Sequence, residues 1–473
     1  MRAPRVFFAT AGLAGLLAAP AARACVGDCN GNAAVAINEL IVGVNISLGA
    51  ASVDACRAFD RNGDASVGIA ELIAAVGNAI NACPAEATPS DTPTVQASET
   101  PTPTPTATPT TSAETRCTVT DGTEVNFDPT QPFCEVLSSY RFFADDGSAQ
   151  IPNDGVLPFD LNTPLFSDYA TKHRFVWMPA GVSAAYHGSE SFTFPVGAVL
   201  IKTFAFPIDE RQPELGERLI ETRLLVRRAA GWEPMTYVWN DEQSEAKRRI
   251  IGKAVPVEWI RADGSTLALN YQVPNTNQCK ECHEEHNGVL APLGPKARNL
   301  NKDYDYGVEL ANQLTKWTEQ GYLSGAPEPD AAPQAAVWDD PQTGSVEVRA
   351  RTYLDVNCGS CHNPSGLART SGLYLDLQEM NPARYGVCKG PVAAGQGAGT
   401  CQHDIYPGLP DRSILVYRMQ SIAPGVAMPE LGRQTAHWEA IALVEEWITS
   451  IPGDCEPAAS GVAASAGSVT ACQ

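Results

Sequence analysis

The chain has 473 residues, too many for a single core, and its length suggests about three folded units. Hydrophobic residues make up 44% of it, enough for globular domains. A formal net charge of -21 excludes nucleic acid, whose phosphates would repel the chain. It suits basic partners or cations such as Ca²⁺, and in its plainest reading only keeps an exported protein soluble.

The first 24 residues read as a signal peptide. Arg2 and Arg5 form a positive start, Val6 to Ala19 is apolar, and Ala22-Arg23-Ala24 is a cleavage site, so the mature chain should begin at Cys25 in the periplasm or outside the cell. The apolar stretch is too short to span a bilayer and no later run is long enough, so no transmembrane helix is expected. A Cys at the first mature position raises lipidation as a rival, but Ala22, not Leu, stands three residues before it. Of the 14 cysteines, four lie in two Cys-x-x-Cys-His motifs and ten remain for disulfides. Proximity suggests Cys117–Cys134, Cys388–Cys401 and Cys455–Cys472, with Cys25, Cys29, Cys56 and Cys83 pairing among themselves.

Residues 25–84 hold a repeat offset by 32 residues. Asp28, Asn30, Asn32 and Glu39 stand at positions 1, 3, 5 and 12 of one loop, and Asp60, Asn62, Asp64 and Glu71 at those of a second. Oxygen ligands at this spacing are those of a twelve-residue Ca²⁺ loop, so one or two Ca²⁺ ions are expected, with Val35 and Val67 joined in a short β-bridge. Ala33 and Ala65 depart from the usual Gly at position 6. A loop followed by one helix, twice over, resembles a dockerin module. That resemblance implies a cohesin-like partner; the alternative is a small Ca²⁺-stabilised domain with no partner.

Residues 85–115 are rich in Pro and Thr and predict an extended linker. Residues 116–275 predict a β-rich, sandwich-like domain, with strands around Phe192–Phe206, Leu219–Val226 and Met235–Trp239. His173 and His187 read there as ordinary surface or core histidines. Residues 276–340 hold the first Cys-x-x-Cys-His motif, 341–453 predict a helical domain around the second, and 454–473 a tail.

The two motifs are Cys279-Lys-Glu-Cys282-His283 and Cys358-Gly-Ser-Cys361-His362. Two thiols one helical turn apart can add to the two vinyl groups of a porphyrin, and the next residue then offers its imidazole to the iron. The motifs therefore predict two haem c groups. A four-thiolate zinc site is the rival, but 79 residues separate the pairs and zinc would not require the His; a redox dithiol would not require it either.

Around the second motif, an entering helix at Val346 to Asn357, the motif, Met428-Pro429 and a final helix at about Thr435 to Ile448 follow in order. Ile441, Leu443, Val444, Trp447 and Ile448 are placed for burial. This order resembles the class I cytochrome c family over residues 341–453. The resemblance implies an all-α fold with His362 and Met428 as axial ligands.

No Met lies between His283 and Cys358, so the first iron would take its sixth ligand from Met178, Met235, His173 or His187, or keep an open site; His286 is only one turn past His283. More widely, Pro164–Asp168, Phe194–Gly197, Asn275–His283, Leu293–Pro295 and Arg298–Asn301 make residues 116–453 similar to bacterial di-haem c-type cytochromes. The expected fold class is thus multidomain: a small helical Ca²⁺-loop module, a β-rich sandwich-like middle and an all-α cytochrome c-like end. The expected function is electron transfer between redox partner proteins. The alternatives are a haem enzyme (a di-haem peroxidase or dehydrogenase subunit) open at the first haem, or a scaffold component tethered through the calcium module.

Overall fold

The computed structural model describes residues 25–32, 34–47, 51–61, 66–81, 83, 117–285, 288–392, 394–455 and 471–473. The signal peptide, the linker, most of the tail, Ala33, Asn62, Asp64, Ala65 and His286 lie outside the described residues. The chain divides into two compact units, Met1–Thr106 and Ala107–Gln473.

The first unit is built on helices α1 (Ile37–Ser47) and α2 (Ile69–Asn81). Val26, Val35, Ile46, Phe59, Val67 and Ala75 form its core. So small a core gains most from covalent support, and Cys25–Cys83 and Cys29–Cys56 supply it. Gly43 is required by packing: a Cβ there would lie 2.3 Å from the Phe59 ring. Val35 and Val67 are both buried, but each lies in irregular backbone and the β-bridge expected between them is not formed.

The second unit is organised by β1 (Leu157–Phe159), β2 (Thr171–Trp177), β3 (Ala184–Ala185), β4 (Val199–Pro207), β5 (Glu217–Arg228), β6 (Gly231–Trp239) and β7 (Ala246–Arg249). All but β3 form one antiparallel sheet in the order β1-β2-β4-β5-β6-β7. Alternation puts Phe175, Ile201, Leu224 and Met235 on one face, where they join Tyr140, Phe142 and Tyr237 in a core.

The other face is divided. Leu157, Phe159 and Val176 pack under Leu300, Leu314 and Trp317, and Phe204, Phe206 and Val238 pack under a hairpin of β8 (Lys253–Ile260) and β9 (Thr266–Val273). Between these clusters runs a charged seam.

The expected fold class is corrected here. The chain is β-rich, and its C-terminal part is not an all-α cytochrome c-like domain. Helices do stand at Val346–Asn357, Ile414–Gln420 and Trp438–Ser450, and Ile441, Val444, Trp447 and Ile448 are buried. Among the described residues from 358 to 413, however, there are only short 3-10 turns and the isolated bridges Val387↔Ile405 and His403↔Ser413. Glycines at 386, 390, 395, 397 and 399 disfavour helix there, and disulfides do the ordering instead. Nor do these residues form a unit apart from the sheet.

The disulfides are Cys117–Cys134, as expected from proximity, and Cys388–Cys455 and Cys401–Cys472, which replace the expected Cys388–Cys401 and Cys455–Cys472. Each tethers the chain end to the irregular segment, which neighbour-pairing would leave unattached. Non-reducing peptide mapping should recover the 388–455 and 401–472 cross-linked peptides; a 388–401 peptide would contradict this arrangement.

Candidate functional site

Ten cysteines are oxidised in five disulfides, and the four left as free thiols are Cys279, Cys282, Cys358 and Cys361. The first pair sits on α3 (Thr276–His283). Eight residues make a marginal helix, so its start matters. Asn275 Oδ1 accepts the Gln278 N–H at 2.9 Å and Gln278 Oε1 accepts the Asn275 N–H at 3.0 Å, a reciprocal cap. At the helix end, His283 Nδ1 lies 2.8 Å from the Ala291 carbonyl. A carbonyl can only accept, so Nδ1 carries the proton and Nε2 keeps its lone pair. Burial holds this imidazole down to about 4, in its neutral, ligating form.

The second pair follows α4 (Val346–Asn357). Ser345 Oγ caps the start by accepting the Val348 N–H. Past its end the His362 N–H donates to the Cys358 carbonyl at 2.9 Å, keeping the motif in one tight turn. Gly366 is essential to that turn, since a Cβ there would lie 2.2 Å from the Cys361 carbonyl. His362 Nδ1 stands 3.2 Å from the Leu373 carbonyl, so this imidazole too leaves Nε2 free, and burial lowers its pKa.

Cys358 and Met428 line one cavity, together with Phe166, Tyr353, Met419 and His437. The Met428 loop is held by polar contacts. Its N–H donates to the Arg418 carbonyl at 3.0 Å, and Arg433 Nη2 donates to the carbonyls of Arg418, Ser421 and Met428. Asp168 reaches across from the sheet region: its Oδ1 accepts the N–H groups of Gln434 at 2.5 Å and Thr435 at 3.0 Å.

The two motifs touch, for Cys361 Sγ donates to the Glu281 carbonyl at 3.4 Å. Burial pushes all four thiols up, Cys282 to about 11 and Cys358 to about 12, opposite to the lowered pKa of a redox dithiol. Among the described residues, no three His, Cys, Asp or Glu side chains gather around one point as a four-thiolate zinc site would require.

None of the four residues considered as a distal partner of His283 is presented to it. His173 and Met235 project from the sheet face opposite the seam, His173 on Glu217 at 2.5 Å and Met235 into the core. Met178 is buried beside Trp317, and His187 is exposed, accepting the Glu190 N–H.

In the first unit, loop oxygens turn inward. Asp28 Oδ1 accepts the N–H groups of Gly31 and Asn32, Asn30 and Asn32 accept further along, and buried Glu39 accepts from Cys29, Asn30 and Ala36. Glu71, also buried, accepts from Arg61 and Gly68. Asp60 opens the second loop. Oxygen donors are the type Ca²⁺ takes, but among the described residues no three His, Cys, Asp or Glu side chains converge on one point in this unit.

Comparison with protein-family models, with curated proteins and with solved structures finds no match to this chain. Asp168, Arg433, Arg298 and Asn357 were not legible as functional in the sequence. Asp168 and Arg298 fall in stretches that the sequence singled out only as an expected resemblance, and their partners lie 266 and 57 residues away.

Replacing Asp168 by Ala should strand two backbone donors and cost about 1–3 kcal/mol in denaturant melts, whereas Asp168→Asn keeps the acceptor and should cost less. Equal losses in both variants would mean that these hydrogen bonds do not hold the Met428 loop.

Proposed function

We propose that this chain is an exported di-haem c-type electron carrier, with porphyrin attached at Cys279/Cys282 and Cys358/Cys361 and iron held by His283 and His362. The observation that carries this is the partition of cysteines. In a chain otherwise fully oxidised, the thiols left free are those of two Cys-x-x-Cys-His motifs, and each following His has Nδ1 engaged on a carbonyl with Nε2 uncommitted. A bound haem supplies one-electron chemistry between Fe(II) and Fe(III). The chain's part is to orient the two imidazoles, to offer Met428 as a soft ligand beside Cys358, and to set the motifs against each other so that an electron need not leave the protein between them. Five disulfides accord with an oxidising compartment, and no helix among the described residues is long and apolar enough to cross a membrane. Periplasmic or secreted placement follows from the signal-peptide pattern and belongs to this proposal.

Two observations favour further roles. That none of His173, Met235, Met178 and His187 is presented to His283 among the described residues favours an open site there, and with it an oxidoreductase. In the first unit, Ile41 and Val44 are exposed on α1, and Ile73 and Val76, 32 residues on, are exposed on α2; this repeated apolar pair favours docking to a cohesin-like partner.

Protein matured in a host competent for c-type assembly should give two haems per chain by pyridine haemochrome and intact mass; a colourless product without added porphyrin mass rejects the proposal. Met428→Ala should keep both haems and lose the weak red-edge Met–Fe absorption band. Carbon monoxide added to reduced protein should shift one haem spectrum if the first site is open, and neither if it is closed. Chelating Ca²⁺ should raise proteolytic susceptibility in residues 25–84 and leave the haem spectra unchanged.

A further inference from the structure

The seam between the two apolar clusters on the inner face of the sheet is cationic. Register places Arg174 directly opposite Lys202, and Lys202 directly opposite Arg223, so three cations stand in a row across β2, β4 and β5. Like charges directly opposite one another destabilise a sheet. Adjacent strands are about 4.8 Å apart, so the row spans about 10 Å. Lys172 joins it from the same face of β2.

The row is under-compensated. Asp160 is shared between Arg174 at 2.7 Å and Lys302 at 3.1 Å, and Glu221 serves Arg223 at 2.5 Å. Lys172 and Lys202 make no ion pair among the described residues: Lys172 Nζ donates to the Ala170 carbonyl, and Lys202 Nζ lies over the Phe204 ring. The Arg174 side chain is 5% exposed, yet its Nη2 has no hydrogen-bond partner. Burial, with Arg174 alongside, holds Lys172 down to about 7, and burial also lowers Lys202. A chain of net charge -21 has carboxylates to spare, and so incomplete a pairing along a half-buried seam points to an anion that is not part of the polypeptide.

The ends of the row say which anion. At one end, Arg223 Nη2 meets the Tyr271 hydroxyl at 3.4 Å, eight residues before Cys279, and α3 packs on β6 next to it. At the other end, Lys172 and Arg174 line a cleft of about 340 Å³ with Phe159, Phe175 and Tyr304. A porphyrin attached through its vinyl edge at Cys279 and Cys282 carries its two propionates on the opposite edge, and the row leads from the first position toward a charged cleft over a distance comparable with the ring.

We propose that the Arg174–Lys202–Arg223 row, with Lys172, is the carboxylate clamp for the propionates of the haem attached at Cys279 and Cys282. This rests on the di-haem reading. The clamp sets that haem's orientation and, by placing positive charge beside it, disfavours its oxidised form.

The test is made on the holoprotein. Lys202→Gln and, separately, Lys172→Gln should lower the midpoint potential of one haem and leave the other unchanged in spectropotentiometric titration, with a change in the propionate bending band of the resonance Raman spectrum. Lys202→Arg should restore both. Succinate added to the wild-type holoprotein should show no binding by calorimetry, because the clamp is filled. Unchanged potential and Raman band in folded Lys202→Gln and Lys172→Gln proteins that still hold two haems would overturn the clamp while leaving the di-haem reading intact. Succinate binding that disappears in Lys202→Gln would also overturn it, by making the row a site for a free dicarboxylate. Absence of covalent haem would instead defeat the underlying reading.

Discussion

The buried pair between Arg298 and Asp355 is the contact on which the candidate site depends. The guanidinium donates at 2.8 Å to a carboxylate three residues before Cys358, and the side chains are 11% and 5% exposed. Its other branch donates to the Ser189 carbonyl, and Asp355 also accepts the Leu377 N–H. One ion pair thus ties the strand region, the segment after the first motif and the helix leading into the second. Removing either partner would leave a buried charge alone, which typically costs about 3–5 kcal/mol. The pair therefore makes the relative placement of the two motifs a property of the core rather than of a surface contact.

The same junction is lined by polar contacts of high sequence separation. Phe166 N–H donates to Asn357 Oδ1, Thr163 Oγ1 donates to the Ala336 carbonyl, and Tyr169 and Arg261 both reach Glu439. Asp168 and Tyr169 both have positive φ, at 53° and 64°, a strained backbone that persists because the Asp168 carboxylate secures residues 434 and 435. Around this polar frame Phe166 stacks on His437 at 4.2 Å, with Trp338 edge-on at 4.7 Å, so the wall of the Met428 cavity is drawn from both ends of the unit. The sheet is in this sense part of the site, although it carries none of the motif residues.

The two faces of the sheet play different roles. One is a continuous aromatic and aliphatic core that sets stability; the other interrupts its apolar packing with charge where the first motif lies. Charge at such a position lowers the stability of the fold, a cost that real proteins characteristically accept only where function asks for it. It also explains why strand alternation in Phe192–Phe206 reads as ordinary β-structure: Lys202 occupies what looks like a solvent-facing position, and only its cross-strand neighbours Arg174 and Arg223 reveal the charged seam.

By itself, the sequence determined the things that are local. The two Cys-x-x-Cys-His motifs, the loop repeat of residues 25–84, the strands around residues 192–239, the helix at 346–357 and the final helix, expected at about 435–448 and found at 438–450, all depend on spacing within about a dozen residues, which periodicity and motif chemistry report. The tertiary structure alone decided what depends on chain ends meeting across long loops. It replaced the expected all-α end with an irregular segment stapled by Cys388–Cys455 and Cys401–Cys472. It merged the β-rich and C-terminal parts into one unit, and it brought Arg174, Lys202 and Arg223 into line across three strands. These are contacts between residues tens to hundreds apart. Their energy comes from burial and pairing in three dimensions, and no local pattern carries a trace of it.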